Sequence, residues 1–266
     1  MRRTGTLSDI NHFIERAEEV ADSSEVGLNF CKGLFEWYTA NPNNALRFFN
    51  NCRRDPEFGK QSIFNMVCIC IDPDNDLPTE LDFNESGVDL EADASNSRQI
   101  ALKTAERLLR DLQPRTNVID QEALNHKLME NFLLTATRTK NNVERALQNL
   151  SAIANQEELK DSIGVVYGIA VCFIMLRQQQ RAKNQLKRIS KNSWTFEDAE
   201  YLEKSWLLLS DIYIQASKFD IANDLLAKVL KHNKSCYKAY ELSGLIAEKE
   251  QNFKAAAIHY DQDGGN

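Results

Sequence analysis

The stretch Lys204-Ser-Trp-Leu-Leu-Leu-Ser-Asp-Ile-Tyr213 decides the fold, because a second version of it, Lys238-Ala-Tyr-Glu-Leu-Ser-Gly-Leu-Ile-Ala247, follows at a fixed offset. Trp206 corresponds to Tyr240 and Ser210 to Gly244, each pair 34 residues apart. The same offset relates three pairs in the stretch that follows each version, which are Phe219 to Phe253, Ala222 to Ala256 and Leu226 to Tyr260. Agreement at five positions indicates an internal repeat.

A period of 34 residues is typical of the tetratricopeptide repeat, a helix–turn–helix unit that stacks on its neighbours. Two helices approach closely only where side chains are small, while large side chains fill the space between turns. The sequence therefore predicts an all-α fold, an α-solenoid of antiparallel helix pairs. The predicted packing positions are Trp206, Ser210, Tyr213, Ala222, Leu226, Tyr240, Gly244, Ala256, Tyr260, Ala170, Phe173 and Ala182.

Upstream stretches carry the same internal spacing less strictly. Ala182 precedes Ala222 by 40 residues, so about six residues are inserted, and the connection over 192–199 with Trp194 accommodates them. A weaker copy has Ala146 in the place of Ala182. Near the N-terminus, Gly33, Ala45 and Phe49 lie at matching intervals, so a helix pair is expected there.

The chain is predicted to have four parts. A helical segment over 8–71 comes first, and an acidic flexible loop over 72–97 follows, with nine acids and no base from Asp72 to Asp93. Such a segment buries too little apolar surface to offset its ordering entropy. A helical segment with a degenerate repeat over 98–160 precedes the array over 161–266, whose units lie at about 163–196, 203–236 and 237–266. The last unit is expected to be truncated, its second helix interrupted just after Tyr260 by Asp261-Gln-Asp-Gly-Gly-Asn266.

Composition and charge narrow the function. With 42% hydrophobic and 27% charged residues the chain can bury a core, and its net charge of −7 argues against nucleic-acid binding. The chain has six cysteines, and most of them lie inside apolar runs, which indicates reduced, buried thiols. The longest apolar run, Ile163 to Leu176, is shorter than the ~20 residues needed to span a bilayer, so no direct membrane insertion is expected.

No motif for catalysis or cofactor binding stands out. Asp72-Pro-Asp74-Asn-Asp76 opens like a calcium loop, but Leu77 takes the place of the required glycine and Phe83 that of the closing glutamate. Cys68-Ile-Cys70 lacks the spacing of a zinc or redox pair. We therefore expect no enzyme activity, cofactor, metal or small-molecule substrate.

Six side chains form a candidate partner surface. Superhelical stacking exposes one helix of each pair on a concave face, and the positions expected there are strongly apolar. An apolar concave face is expected if another chain covers it. The residues are the loop aromatic Trp194 and the concave-face positions Tyr167, Met175, Leu207, Ile214 and Leu245.

Three longer stretches of the sequence resemble one particular protein family. They are Glu203-Lys-Ser-Trp-Leu-Leu-Leu-Ser-Asp-Ile-Tyr-Ile-Gln215, Arg181-Ala-Lys-Asn-Gln-Leu-Lys-Arg-Ile189 and Lys231-His-Asn-Lys-Ser-Cys-Tyr-Lys-Ala-Tyr240. They are similar to the tetratricopeptide repeat protein 21 family, the large repeat subunit of intraflagellar transport complex A. Lys32-Gly-Leu-Phe-Glu-Trp-Tyr-Thr39 and Asp72-Pro-Asp-Asn75 extend the resemblance.

The resemblance implies that this chain is part of a longer solenoid. It further implies a scaffold role in retrograde ciliary transport and cilium assembly, with other subunits of a multiprotein transport complex as partners, in the cytoplasm and cilium. The alternative is a generic repeat adaptor or co-chaperone that binds peptide segments. That function requires Lys and Asn on the inner faces, where Tyr167, Val171, Leu207, Asp211 and Glu241 are expected instead.

Overall fold

A computed structural model describes residues 7–20, 25–81, 92–112 and 121–264. Thirteen helices and no strand occur in these ranges, which confirms the predicted all-α fold. The helices are α1 (Leu7–Glu18), α2 (Val26–Tyr38), α3 (Pro42–Cys52), α4 (Gly59–Ile71), α5 (Ala92–Asp111), α6 (Gln121–Ala136), α7 (Lys140–Ala154), α8 (Ile163–Met175), α9 (Gln179–Ile189), α10 (Ala199–Gln215), α11 (Phe219–His232), α12 (Tyr237–Lys249) and α13 (Phe253–Gly264).

From α2 onward the helices pack in consecutive pairs that form a solenoid. Each even-numbered helix packs on the odd-numbered helix after it, and from α4 to α12 each even-numbered helix also contacts the next even-numbered one. The pairs are antiparallel: Cys52 at the end of α3 donates its thiol to the carbonyl of Val26 at the start of α2 (3.4 Å). The even-numbered helices from α4 to α12 therefore form a continuous inner row.

Small residues in the first helix of a pair receive large residues from the second. A Cβ atom placed on Gly33 would lie 2.8 Å from the Phe49 ring, and one on Gly244 would lie 2.5 Å from the Tyr260 ring. The corresponding positions carry Ala170 before Leu186 and Ser210 before Leu226, which are at most 1% exposed. Where the first helix carries glycine, the second helix supplies an aromatic ring. Where the first helix carries alanine or serine, the second helix carries leucine at the matching position.

A shared turn joins the two helices of most pairs. Its central residue has a left-handed backbone, with φ between 54° and 61° at Ala40, Arg138, Arg177, Ser217 and Gln251. Five residues after this left-handed residue, a backbone N–H donates to the carbonyl four residues before it and closes the first turn of the second helix. The donors are Ala45, Val143, Ala182, Ala222 and Ala256. In α7 this position is held by Val143 and not by Ala146, so the predicted register of the degenerate repeat is corrected by about one helical turn.

The acidic segment lies inside a repeat and not between two of them. α4 packs on α5 as a helix pair, and the segment is inserted between these two helices. α5 begins at Ala92, inside the loop predicted over 72–97. Residues 72–81 are described and packed on other helices, which corrects the prediction of a loop that is flexible throughout; 82–91 lie outside the described residues.

Two further observations complete the fold. The predicted interruption of the second helix of the last repeat after Tyr260 is wrong, because α13 continues to Gly264. The buried residues form two clusters, one around α3–α5 and one from α6 to α12, and Phe132 and Tyr201 pack against both. Their rings stack with centroids 5.9 Å apart, which makes the apolar core continuous along the solenoid.

Candidate functional site: the inner groove

The concave face is a groove formed by the inner row of helices. Its floor includes three aromatic rings from α6, α8 and α10, those of Phe132, Tyr167 and Tyr201, with centroids about 6.0 Å apart. Burial raises the pKa of Tyr167 to about 12 and that of Tyr201 well above its usual value, so both hydroxyls stay protonated. These three rings therefore form an uncharged, largely apolar part of the floor.

The groove is occupied by residues 72–81, which we call the groove segment. It leaves the end of α4 and is held through its backbone at both ends. The Leu81 N–H donates to the Met175 carbonyl (3.0 Å), and the Leu81 carbonyl accepts from Arg177 Nε (2.8 Å). Nearer its start, the Tyr237 hydroxyl donates to the carbonyl of Asp74 (2.6 Å). The chain thus fills its own concave face with a non-helical peptide.

Side chains of the groove segment meet cations of the inner row. Lys238 Nζ lies 3.2 Å from a carboxylate oxygen of Asp76, and Arg177 Nε lies 3.8 Å from one of Glu80. Arg138 donates to the Thr79 hydroxyl at 2.7 Å. Because Asp76 and Glu80 are largely exposed, these ion pairs orient the segment more than they stabilise it.

Lys204 is a further cation of the groove, with 28% of its side chain exposed. Burial disfavours its charged form, but the surrounding groups, first among them Glu200 with a carboxylate oxygen 3.6 Å from Nζ, outweigh burial and raise the pKa of Lys204. Burial also raises the pKa of Asp72, against the attraction of Lys204. A charged lysine thus lies beneath the start of the groove segment.

Sequence reasoning missed these cations. Lys204 and Lys238 are 34 residues apart and each precedes a repeat aromatic by two residues, so the repeat itself carried the signal. Arg138 and Arg177 occupy the left-handed position of the interhelical turn, which is visible only in the backbone geometry.

The groove segment leaves unfilled space on both sides. A cavity of about 230 Å³ lies between it and α6, α8 and α10, lined in part by Met129, Phe132 and Tyr167. A second, of about 410 Å³, lies between its Pro73–Asn75 stretch and α2, where Trp37 faces Tyr237 across the opening. The superhelix therefore curves enough to bring α2 near the start of α12.

The predicted partner-surface residues of the concave face are covered in this chain. Tyr167 and Met175 line the smaller cavity with the groove segment, and Leu207 lines the larger one. Leu245 is half-buried and lines a third cavity beside residues 76–80. Ile214 is 1% exposed and belongs to the core, which corrects its placement on a surface.

Trp194 lies apart from the groove, in the connection between α9 and α10. Its ring is half-buried and stacks on His232, with centroids 4.8 Å apart and an interplanar angle of 1°. The neighbouring Phe196 packs edge-on against Trp194 at 4.8 Å and is 78% exposed. Phe196 is therefore the exposed aromatic residue of this connection, and its ring packs on Trp194. We call Phe196, Trp194 and His232 the exposed aromatic edge.

The predicted packing residues all lie within helix pairs. Trp206 is buried and its indole N–H donates to the Ser190 carbonyl (3.1 Å). Tyr240 and Phe173 are half-buried, Tyr240 donating to the Lys234 carbonyl (3.1 Å) and Phe173 lying beneath the Arg181 guanidinium (5.8 Å). Tyr260 is half-buried against Gly244. The other packing residues are buried, namely Ser210, Tyr213, Ala222, Leu226, Gly244, Ala256, Ala170 and Ala182.

Residue types that commonly ligate metals are scattered among the described residues. Within those ranges no group of three or more His, Cys, Asp or Glu is arranged to hold a metal ion. Cys68, whose sulfur lies 3.7 Å from that of Met129, has a pKa raised to about 12, chiefly by burial. None of the helices in the described ranges combines the length and apolar character needed to cross a membrane.

Stacked helix pairs around a groove define the class of this protein, a helical-repeat scaffold. The chain belongs to the tetratricopeptide repeat protein 21 family. Residues 104–263 match the tetratricopeptide repeat protein 21 C-terminal ARM domain, and residues 1–71 match the fifth ARM repeats domain of the same family. Residues 72–103, which include the groove segment, lie between the two matched regions.

Relatives from several animals agree with this assignment. The chain is 45% identical to human tetratricopeptide repeat protein 21B, 41% identical to human tetratricopeptide repeat protein 21A and 33% identical to the Caenorhabditis elegans tetratricopeptide repeat protein 21 homolog. Each comparison covers 98% of this chain and 19–20% of the relative. The chain thus spans about a fifth of the length of the curated relatives it matches.

Proposed function

We propose that this chain is a non-catalytic part of the large repeat subunit of intraflagellar transport complex A, and that it supports retrograde ciliary transport and cilium assembly. Its partners are other protein subunits of that complex, in the cytoplasm and cilium. The proposal rests on two observations. Three longer stretches of the sequence resemble that subunit, and the chain belongs to the tetratricopeptide repeat protein 21 family.

The observation that carries the scaffold role is the continuous row of helices. The core runs without a break from α3 to α12, so a partner that contacts one repeat meets a surface that the adjoining repeats support. No catalytic residue takes part in this function, and the net charge of −7 does not suit nucleic acid as a partner.

The exposed aromatic edge is the proposed contact point with another subunit. Phe196 presents an apolar ring to solvent, and Trp194 stacked on His232 holds that ring in place. Rigid aromatic anchors of this kind dominate many protein interfaces.

The test is affinity capture of the tagged full-length protein from ciliated cells. We expect other transport-complex subunits to co-purify, and a Phe196→Ser variant to recover less of at least one of them. Ile221→Ser is the matched control, because Ile221 is also exposed (44%) but lies on the outer helix α11. If no transport-complex subunit co-purifies with the unsubstituted protein, the proposed function is wrong.

A further inference from the structure

We propose that the inner groove is a peptide-binding site whose resident ligand is the groove segment, and that it binds in trans a non-helical acidic peptide with two leucines four residues apart. This inference does not depend on the role in ciliary transport. The partner is defined by the chemistry of the segment that already occupies the groove.

The groove holds its segment in the way that peptide-binding domains hold a ligand. Three of its hydrogen bonds are to backbone groups of the segment, from Tyr237, from Arg177 and to Met175, and such bonds fix a peptide regardless of its sequence. Two apolar side chains of the segment give specificity. Leu81 is 5% exposed and part of the main core cluster, and Leu77 packs against the same cluster.

Charge complementarity selects an acidic peptide. Lys238 pairs with Asp76 at 3.2 Å, and Lys204, one repeat earlier, lines the same cavity as Asp72. Two lysines at equivalent repeat positions thus lie beside the two acids at the start of the segment. Asp72 and Asp76 lie close together at a turn, in which the Asp76 N–H donates to a carboxylate oxygen of Asp72 (3.1 Å). The cationic end of the groove therefore suits a peptide that carries two closely spaced acids ahead of its leucines.

The segment fills the groove incompletely, which leaves room for a better ligand. The cavity of about 410 Å³ beside residues 73–75 is bordered by Trp37 and Asn65. Asn65 is 6% exposed, and its Nδ2 is buried without a hydrogen-bond partner although its Oδ1 accepts from Gln61 (3.1 Å). A buried donor at an unfilled cavity favours a ligand that brings an acceptor and a larger side chain there.

Displacement of the segment is energetically feasible. Its ion pairs are exposed and weak, and ordering the peptide opposes binding, so the tether between α4 and α5 contributes much of its occupancy. Direct covalent attachment to the end of α4 provides an effective concentration in the millimolar range. A free peptide of moderate affinity therefore competes poorly with the intact segment and well with a weakened one.

The experiment measures binding of a fluorescein-labelled synthetic peptide of residues 72–83 by fluorescence anisotropy. The receptors are the unsubstituted 266-residue chain and a chain with its own segment weakened by Leu77→Ser and Leu81→Ser. We expect the weakened chain to bind the probe at least about tenfold more tightly, because the fraction of molecules with an open groove is larger. A probe with the same two serine substitutions should bind about tenfold more weakly.

Substitutions on the groove wall identify the binding surface. In the weakened chain, Lys238→Ala is expected to lower probe affinity about threefold and to reduce its salt dependence. Lys228→Ala removes the same charge from the outer helix α11 and should leave affinity unchanged, since Lys228 is exposed there. Equal effects of the two substitutions would show that attraction is unspecific and would overturn the proposal.

A second variant separates binding from folding. Asp76→Lys and Glu80→Lys weaken the groove segment through charge while both leucines are kept, and circular dichroism at 222 nm checks the helices. Tighter probe binding by this variant supports the proposal. If neither weakened chain binds the probe more tightly than the unsubstituted chain while at least one keeps its helices, the groove is not a peptide-binding site.

Discussion

Gly33→Ala tests how strictly a repeat matches a small residue to a large one. Gly33 lies in the middle of α2, and the added Cβ would meet Phe49 Cδ1 and Cε1 at 2.8 Å and Cζ at 3.1 Å. Ordinary carbon–carbon contacts are about 3.5–4.0 Å, so the ring must move by roughly 0.7 Å or more. Phe49 has no exposed surface, and Phe30 and Trp37 contact it edge-on at 5.8 and 6.5 Å.

Two effects of opposite sign set the magnitude. Overpacking a core by one methyl group costs about 1–3 kcal/mol. Replacing a glycine by alanine inside a helix contributes about 0.8–1.0 kcal/mol of stability. Overpacking wins because the ring is enclosed on all sides, and we expect a net loss of about 1 kcal/mol in the free energy of unfolding.

A control on the same helix isolates the packing effect. At Gly27 an added Cβ would lie 3.8 Å from the Phe58 ring, which is ordinary contact. Gly27→Ala is therefore expected to stabilise the chain slightly. Urea denaturation followed by circular dichroism at 222 nm should separate the two alanine variants by about 1–3 kcal/mol.

The repeat itself offers a compensating substitution. Ala170 and Ser210 occupy the position of Gly33 in later repeats, and leucine stands at the position of Phe49 in both. Phe49→Leu should therefore reduce the cost of Gly33→Ala, with a coupling of about 1 kcal/mol in the double-mutant cycle. A Gly33→Ala variant as stable as Gly27→Ala, or strictly additive effects of the two substitutions, would refute the packing argument.

Three further predictions concern the turns, a buried polar pair and the thiols. Ser217→Gly should raise the free energy of unfolding by about 0.5–1 kcal/mol, because Ser217 is exposed and has a left-handed φ of 55° that glycine adopts more easily. Urea denaturation measures this change, and an unchanged unfolding midpoint would contradict the prediction. Asn233→Ala should lower the free energy of unfolding by about 1–3 kcal/mol, because Asn233 Nδ2 donates to both carboxylate oxygens of buried Glu203 (3.0 and 3.1 Å). A loss no greater than that caused by a substitution at an exposed position would argue against this role. At pH 8 a thiol reagent should modify exposed Cys31 before Cys172, whose pKa burial raises to about 12, and Cys31→Ser should abolish the fast phase seen by mass spectrometry.

The helix pairs were predictable because their determinants are local. A helix needs an apolar stripe with a period of 3.6 residues, and a pair needs small and large residues at fixed separations, all of which lie within one repeat. The degenerate repeat shows the limit of this approach. Its first-helix position carries Asn131, whose side chain accepts from Asn149 (3.0 Å), so a polar pair replaces the small residue and hides the register.

The candidate site was predictable only in part. The apolar character of Tyr167, Met175 and Leu207 indicated that something covers the concave face, but not what does so. The acidic run from Asp72 to Asp93 had the composition of a flexible loop, and composition reports how little a segment can bury by itself. It does not report contacts with residues that lie more than 160 positions away, such as those between Asp76 and Lys238.

The sequence by itself therefore determined the repeat, the helical class and the family, because each depends on residue types at short, regular separations. The tertiary structure decided that residues 72–81 occupy the groove and that Arg138, Arg177, Lys204 and Lys238 face them. The reason is curvature: small rotations between successive repeats add up until α4 and α12 border the same groove. Only that accumulated geometry brings an acidic insertion to the cations that hold it.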